Sequence, residues 1–500
     1  MLETASLFGD GAVLCREREI RIFGRAESGK TVTVRLQDSR GSLLAEESGT
    51  AREDRFEITL PPQRAQTGCT LTVLSDGERI TASDIAVGDV FLAGGQSNME
   101  LELRNSLGGT DQVPDDPLLR FFNVPRRAFV CEEQRRAVRE TRWQPVNRET
   151  AGTNSAVASV FGKIIREKHP EIPVGIIGCY WGGTSVTCWM DRETLETLSE
   201  GIRYEREYER RCAGKSMEQY LAEEAVFQRY TEDWNRKADA YRAEHPGASW
   251  EALEEALGKF IWNPPAGPGS PYRPAGLAES MLREITPASL TAVLYYQGEE
   301  DAGLTDQYDV LMAAMIRYWR RLFRNAELPF LFVQLPMWID RGAEDTFTWP
   351  RTRLAQAAVR DSVRNTGMIC LLDEGEYGNI HPVNKRPVGE RLAELAEKMV
   401  FGGAGEESPR AVGRFVRGSV MTVLLSADVR TKDGKAPGLL EIAGEDGRYV
   451  PAEGETAEKA LRIHSAQVEH PVSARYAWTD WSDRANLAGE NGLPLEPFAL

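Results

Sequence analysis

The sequence predicts an α/β protein: a parallel sheet with helices on both faces, flanked by N- and C-terminal all-β modules and carrying a helical insertion. Three observations predict it. Five compact apolar runs, Val90 to Ala93, Val174 to Ile177, Ala292 to Tyr296, Phe330 to Val333 and Met368 to Leu372, lack the alternation of a half-exposed strand and read as strands covered on both sides. Stretches of helical periodicity such as Ala156 to Glu167 separate them, the pattern of a parallel sheet. The two ends of the chain differ in texture, with short alternating runs punctuated by Gly, Pro, Ser and Asp. At the usual ~100 to 200 residues per domain, 500 residues make about three units, placed here at 1–88, 89–402 and 403–500.

In chain order, Glu19 to Phe23, Thr31 to Leu36, Phe56 to Leu60 and Cys69 to Leu74 are the alternating strands of a β-sandwich-like first module. Gly24-Arg25-Ala26-Glu27-Ser28-Gly29-Lys30-Thr31 matches the P-loop pattern, but that mechanism needs a following helix to aim amides at phosphates. Thr31 to Leu36 is a β-branched alternating strand instead, so the segment reads as a strand-to-strand turn. Between the second and third core strands, a charge-dense stretch from Glu193 to Lys259 repeats Met217, Tyr220, Leu221, Phe227, Trp234, Ala238 and Tyr241 at helical spacing. It reads as a helical insertion over about 193–262 whose aromatic face packs on the body. Asn263-Pro264-Pro265-Ala266-Gly267-Pro268-Gly269 ends it, since proline stops a helix and glycine supplies turns. After Gly402 the strand texture returns over Ala411 to Leu425 and Leu439 to Val450.

Composition narrows the functional classes. A formal charge of −16 opposes a polyphosphate, so no nucleic-acid partner is expected. No window holds the ~18 uninterrupted apolar residues of a membrane span. Met1 to Cys15 carries acidic and polar residues where a signal peptide has its apolar core, which predicts a cytoplasmic protein, or a secreted or periplasmic one if a leader was removed. Seven scattered cysteines without Cys-x-x-Cys spacing read as buried thiols. No His-Glu-x-x-His or paired Cys/His spacing supports a metal site.

Chemistry concentrates after the core strands. Val90 to Ala93 runs into Gly94-Gly95-Gln96-Ser97, which sets Ser97 at the carboxyl end of a buried strand, where open α/β sheets hold their ligands. Alone, Ser97 is equally a helix N-cap. Three further segments favour a nucleophile. Trp181-Gly182-Gly183-Thr184 follows the second strand, and Gly183 offers a backbone N–H for an oxyanion. Gln297-Gly298-Glu299 follows the third, with an amide donor at Gln297 and a carboxylate at Glu299. Asp373 to Pro382 follows the last and delivers His381, with Pro382 expected at the first position of a helix. An imidazole there can take the Ser97 proton and return it to a leaving group. His169, His245, His464 and His470 lie in charged or peripheral contexts and read as solvated or capping.

Gly95-Gln96-Ser97-Asn98-Met99-Glu100, Trp181-Gly182-Gly183-Thr184, Tyr296-Gln297-Gly298-Glu299 and Ile380-His381-Pro382-Val383-Asn384-Lys385 closely resemble the sialate O-acetylesterases and related carbohydrate acetylesterases of the SGNH hydrolase superfamily. The resemblance extends to Leu7 to Leu14 and to Arg475-Tyr476-Ala477-Trp478 near the end. It implies an SGNH-like fold and a serine esterase acting on O-acetylated sugars, without cofactor. Ser97 is then the nucleophile, His381 the base, and the Ser97 amide, Gly183 and Gln297 the oxyanion hole. The family commonly carries Asp two positions before the histidine, where this sequence has Asn379. The orienting acid is therefore Glu299, Asp373 or Glu376, or the enzyme runs on a dyad. Trp181, Asn98 and Gln96 are the expected substrate contacts, with Trp189 either beside Trp181 or in the core. The activities that fit are a sialate 9-O-acetylesterase, an acetylxylan- or pectin-type acetylesterase, or a silent glycan-binding relative.

Overall fold

Strand Glu78–Gly95 ties the first module to the core. The computed structural model describes residues 1–132, 136, 140–245, 248 and 250–500. The early part of this strand pairs antiparallel with Gln66–Ser75, and Ala86 to Gly88 lie parallel to Val13–Cys15. From Asp89 onward it pairs parallel with Val174–Tyr180, and from Phe91 with Ala292–Tyr296. The boundary expected at 88 thus falls inside one continuous strand. The change of texture there marks a change from a half-exposed to a fully covered environment, with no break in the chain.

The central sheet runs Gln144–Val146, Asp116–Asn123, Val174–Tyr180, Glu78–Gly95, Ala292–Tyr296, Phe330–Val333, Thr366–Ile369. Every neighbouring pair in that order is parallel except the first, so the sheet is mixed, with one antiparallel edge strand. Asp116–Asn123 was hidden by Arg120, which interrupts the apolar run Leu118 to Phe122. Inside the fold its guanidinium is held by the carbonyls of Asp84 at 2.6 Å and Gly11 at 2.9 Å, so the charge is tolerated in a covered strand.

Alternation along the strands builds two cores. Phe91, Ala93, Leu294 and Leu331 pack with Val157 and Phe161 of helix Ala156–Lys168 and with Leu392 and Leu395 of helix Arg386–Met399. Val90, Leu92, Val293 and Phe330 pack with Leu311, Met315 and Trp319 of helix Tyr308–Leu322. Helices therefore cover both faces. Strand Glu78–Gly95 lies in the interior of the sheet, with earlier- and later-joining strands on opposite sides, which makes its carboxyl end the switch point where a crevice opens.

The P-loop-like segment bridges the end of strand Ile20–Arg25 and the start of strand Thr31–Gln37, and the latter pairs with Leu43–Thr50 and Gln66–Ser75. No helix follows it. The expected insertion holds helices Ser199–Cys212, Met217–Glu244 and Trp250–Leu257, while its positions 246, 247 and 249 lie outside the described residues. A capping box of Ser216 and Gln219 starts the longest helix. Its aromatic stripe does not pack on the body as one face. Tyr220, Trp234 and Ala238 are buried, Met217 and Leu221 are exposed, and Trp234 and Ala238 close on Leu253 of the next helix. The helix is too long for the body to cover, so its distal half makes a small core of its own.

After 402 the chain forms hairpin Ala411–Arg417 and Val420–Leu425 and further short strands. Their core takes in Met337, Cys370 and Leu372 from the α/β part. Cys15, Cys69, Cys179, Cys188 and Cys370 are buried free thiols. No helix among the described residues is long and apolar enough to cross a membrane.

Candidate active site

Gly95 lets the central strand turn out of the sheet. Its φ is +130°, and a Cβ there would overlap the Tyr296 carbonyl of the adjacent strand. The next two residues open the short helix Ser97–Glu100, with Gln96 as N-cap and no side-chain cap bond. Ser97 is therefore not a cap. Its Oγ lies 2.8 Å from His381 Nε2.

His381 comes from the loop between strand Thr366–Ile369 and helix Arg386–Met399. Pro382 stands in that loop, and the proline of the helix's first turn is Pro387, because the chain needs the intervening residues to carry the imidazole back over the sheet end. Polar side chains brace the loop. Asn379 Oδ1 accepts the His381 N–H at 3.0 Å, Asn379 Nδ2 donates to Glu376 at 2.7 Å, and Glu376 accepts the Val383 N–H at 3.0 Å. Asn379, two positions before the histidine, thus holds backbone and leaves the ring alone.

Among the described residues, no carboxylate hydrogen-bonds the His381 ring. Glu299 Oε1 instead accepts from Asn98 Nδ2 at 2.5 Å, and its buried Oε2 has no hydrogen-bond partner among the described residues. Asp373 is bound to Arg391 at 2.8 Å and to Lys432 at 2.8 Å, which pins the last helix to the C-terminal β region. Glu376 is spent on Asn379 and Val383. Asp373→Asn should leave turnover of p-nitrophenyl acetate unchanged while lowering the thermal midpoint by roughly 2–6 °C, as expected for losing charge-assisted bonds in a large chain. A scan of unfolding beside a rate assay checks both halves.

Electrostatics keep the ring neutral. Burial and the nearby positive charge of Lys385 push the His381 pKa down to about 4, so the imidazole is neutral at physiological pH. Burial raises the Glu299 carboxyl, against the Asn98 hydrogen bond that lowers it.

The Gly182-Gly183 turn lies against Ser97. Gly182 packs on Ser97, a Cβ on it lying 3.2 Å from the Ser97 Cβ, and its N–H donates to Glu100 at 2.5 Å. Gly183, at φ +69°, makes no hydrogen bond through its N–H within the described residues, and neither does the Ser97 N–H at the helix start. Gln297 does not join them. Its two amide hydrogens go to Asp301 at 2.6 Å and to the Thr184 carbonyl at 3.2 Å, and its oxygen accepts from Tyr308 at 2.8 Å. Asp301 is the reason: fully buried, it also accepts from Ser185 and the Val186 N–H, and so fixes the loop that carries Gly183.

The expected substrate contacts are placed differently. Gln96 is buried and its Oε1 accepts the Glu300 N–H at 3.2 Å. Asn98 is buried with both ends of its amide engaged. Arg126 sits 4.4 Å above the Trp181 ring, paired with Glu100, so one face of that indole is covered. Trp189 is core. These polar residues flank the nucleophile in sequence, but the helix turns their side chains into the protein.

Sequence reasoning missed Lys385, Asp301 and Trp262. Trp262 is 46% exposed, and its ring lies where a Gly183 Cβ would be. Phe227 and Tyr272 hold it edge-on at 5.8 and 5.5 Å. Its signal was the apolar triplet Phe260-Ile261-Trp262 placed just before a proline break, where no helical core requires it.

Comparison with known proteins points one way. A family model described as carbohydrate esterase, sialic acid-specific acetylesterase, matches residues 262–396. The chain is 23% identical over 523 residues to the sialate O-acetylesterase of Rattus norvegicus, covering 95% of this chain and 90% of that one. It is 21% identical over 522 residues to the Homo sapiens sialate O-acetylesterase, covering 95% and 88%. The crystal structure of a carbohydrate acetylesterase from Xanthomonas citri matches it with a TM-score of 0.77 at 25% identity, over 100% of this chain and 99% of that one.

Proposed function

We propose that this chain, which is similar to the sialate O-acetylesterases and related carbohydrate acetylesterases, is a carboxylic ester hydrolase that removes O-acetyl groups from sugars, 9-O-acetylated sialic acid above all, with Ser97 as nucleophile and His381 as base. The observation that carries the proposal is the 2.8 Å contact of Ser97 Oγ with His381 Nε2 at the carboxyl end of the central strand. The sheet is read as the SGNH hydrolase arrangement.

In this reading Ser97 Oγ attacks the acetyl carbonyl carbon while its proton passes to His381 Nε2. Negative charge gathers on the carbonyl oxygen, where the N–H groups of Ser97 and Gly183 meet it. Collapse breaks the bond to the sugar oxygen, which takes the proton from His381 and leaves as the alcohol. Water then gives a proton to His381, its oxygen attacks the acetyl-serine, and acetic acid departs as Ser97 recovers its proton from His381, ionising to acetate in solvent. A neutral imidazole is needed at each attack, which the depressed His381 pKa supplies.

Acetate release from 9-O-acetylated sialic acid and from acetylated xylan, measured side by side, tests the substrate. Faster release from the sialate is expected, and a strong preference for xylan overturns that assignment in favour of a polysaccharide acetylesterase. A fluorophosphonate probe should modify Ser97 alone. An intact, unreactive Ser97 means a glycan-binding protein without turnover.

A further inference from the structure

Three buried side chains beside the Ser97–His381 pair take part in no step above. Asn98 lies in the helix that Ser97 opens, Glu299 in the loop after strand Ala292–Tyr296, and Lys385 just before helix Arg386–Met399. Lys385 is 1% exposed and Glu299 9%. Lys385 Nζ donates to Asn98 Oδ1 at 2.5 Å, and Asn98 Nδ2 donates to Glu299 Oε1 at 2.5 Å and to the Ile380 carbonyl at 3.0 Å. An ammonium has only donors and a carboxylate only acceptors, so the Asn98 amide has one orientation that satisfies both.

We propose that Lys385 is a positioning residue for the ester hydrolysis: through Asn98 it clamps the serine helix to the His381 loop, and it sets a positive charge beside the imidazole that meets Ser97. The inference rests on the reading of Ser97 as nucleophile and His381 as base. Its chemistry follows from what the ring lacks. With no carboxylate bonded to it, His381 is oriented through its own backbone, and Asn98 grips the carbonyl of the preceding residue, Ile380. Removing the ammonium frees one end of that grip. It also takes away the positive charge that, beside burial, holds the ring neutral, which favours the protonated imidazolium.

The charged and titratable groups facing this cluster are Glu299 and Asp301 from the loop after strand Ala292–Tyr296, Glu376 from the His381 loop, and Lys385 itself. Tyr296 presents its ring 5.5 Å from the ammonium. Burial draws the Lys385 pKa down to about 7, against Glu299 and Glu376, which raise it. The ammonium is therefore charged through the acid range in which His381 must stay neutral. As pH falls through the His381 pKa the base is lost, so the acid limb of the rate profile reports the ring directly.

The test is kcat and kcat/KM for p-nitrophenyl acetate against pH in the full-length enzyme, compared with Lys385→Gln, Lys385→Arg and Ser97→Ala. In Lys385→Gln the acid limb should move up by at least one pH unit, and kcat at pH 7 should fall tenfold or more with KM within twofold. Lys385→Arg, which keeps the charge, should restore the limb. A wild-type limb in Lys385→Gln, or an effect on KM alone, overturns the inference. Because Lys385→Gln can misfold, the ring is also titrated in wild-type protein by NMR of histidine labelled with 13C at Cε1, the His381 signal being assigned from its loss in His381→Asn. A midpoint below 5 supports the inference, and one near the free-ring value overturns it. Activity surviving in Ser97→Ala instead sinks the serine reading itself, which separates the two failures.

Discussion

Ser97→Ala is expected to lower kcat for p-nitrophenyl acetate by roughly 10⁴- to 10⁶-fold, and adding His381→Ala to it should cost almost nothing more. The two side chains share one hydrogen bond of 2.8 Å and one proton, so they act as a unit: the base has nothing to deprotonate once the hydroxyl is gone. His381→Ala alone should be nearly as damaging, since a serine hydroxyl without a base is a weak nucleophile at neutral pH. Residual hydrolysis above the rate in water then measures what the Ser97 and Gly183 N–H groups contribute by themselves. Kinetics on the two single variants and the double variant check this. Losses that multiply would mean that the two residues act in separate steps, contrary to a Ser97–His381 pair.

What could be read from the sequence followed from local chemistry. Buried strands announce themselves by unalternated runs such as Val174 to Ile177, and glycine pairs at their ends by the turn they permit, so the strand ends and the Ser97 and His381 segments were legible. Asp116–Asn123 was not, because a sequence does not say that the carbonyls of Asp84 and Gly11 will meet the Arg120 charge. The same blindness governed the polar neighbours of the nucleophile. Asn98 and Gln96 looked like substrate contacts because they are polar and flank Ser97, and Gln297 looked like an oxyanion donor because it follows the end of a core strand. Their partners Lys385, the Glu300 N–H and the Thr184 carbonyl come from other segments, and only the fold shows that Asp301, four residues on, takes the other hydrogen of the Gln297 amide. Asp373 looked like a candidate acid for the same reason, and its partners Arg391 and Lys432 lie 18 and 59 positions away. Buried polar residues are defined by who satisfies them, and that is long-range information.

Gly183→Ala should lower kcat/KM by about 10²- to 10³-fold, the usual loss when one oxyanion donor is displaced. Two features of the position make a methyl group intolerable there. The φ of +69° is the left-handed region, which costs an L-residue roughly 1–2 kcal/mol. The new Cβ would also overlap the Trp262 ring, which Phe227 and Tyr272 hold in place. The chain can relieve the overlap by rotating the 182–183 peptide, which swings the Gly183 N–H away from the oxyanion, or by displacing Trp262. A double variant separates the causes. In Gly183→Ala with Trp262→Ala the overlap is gone and only the backbone cost remains, so about tenfold of the lost rate should return, the factor corresponding to ~1.4 kcal/mol. The signature is in kcat, because an N–H that serves the developing oxyanion acts on the transition state more than on bound ester. Measured kcat for the single and double variants decides the matter: a Gly183→Ala enzyme with wild-type kcat removes this N–H from the oxyanion site, and a double variant no better than the single assigns the whole loss to the backbone.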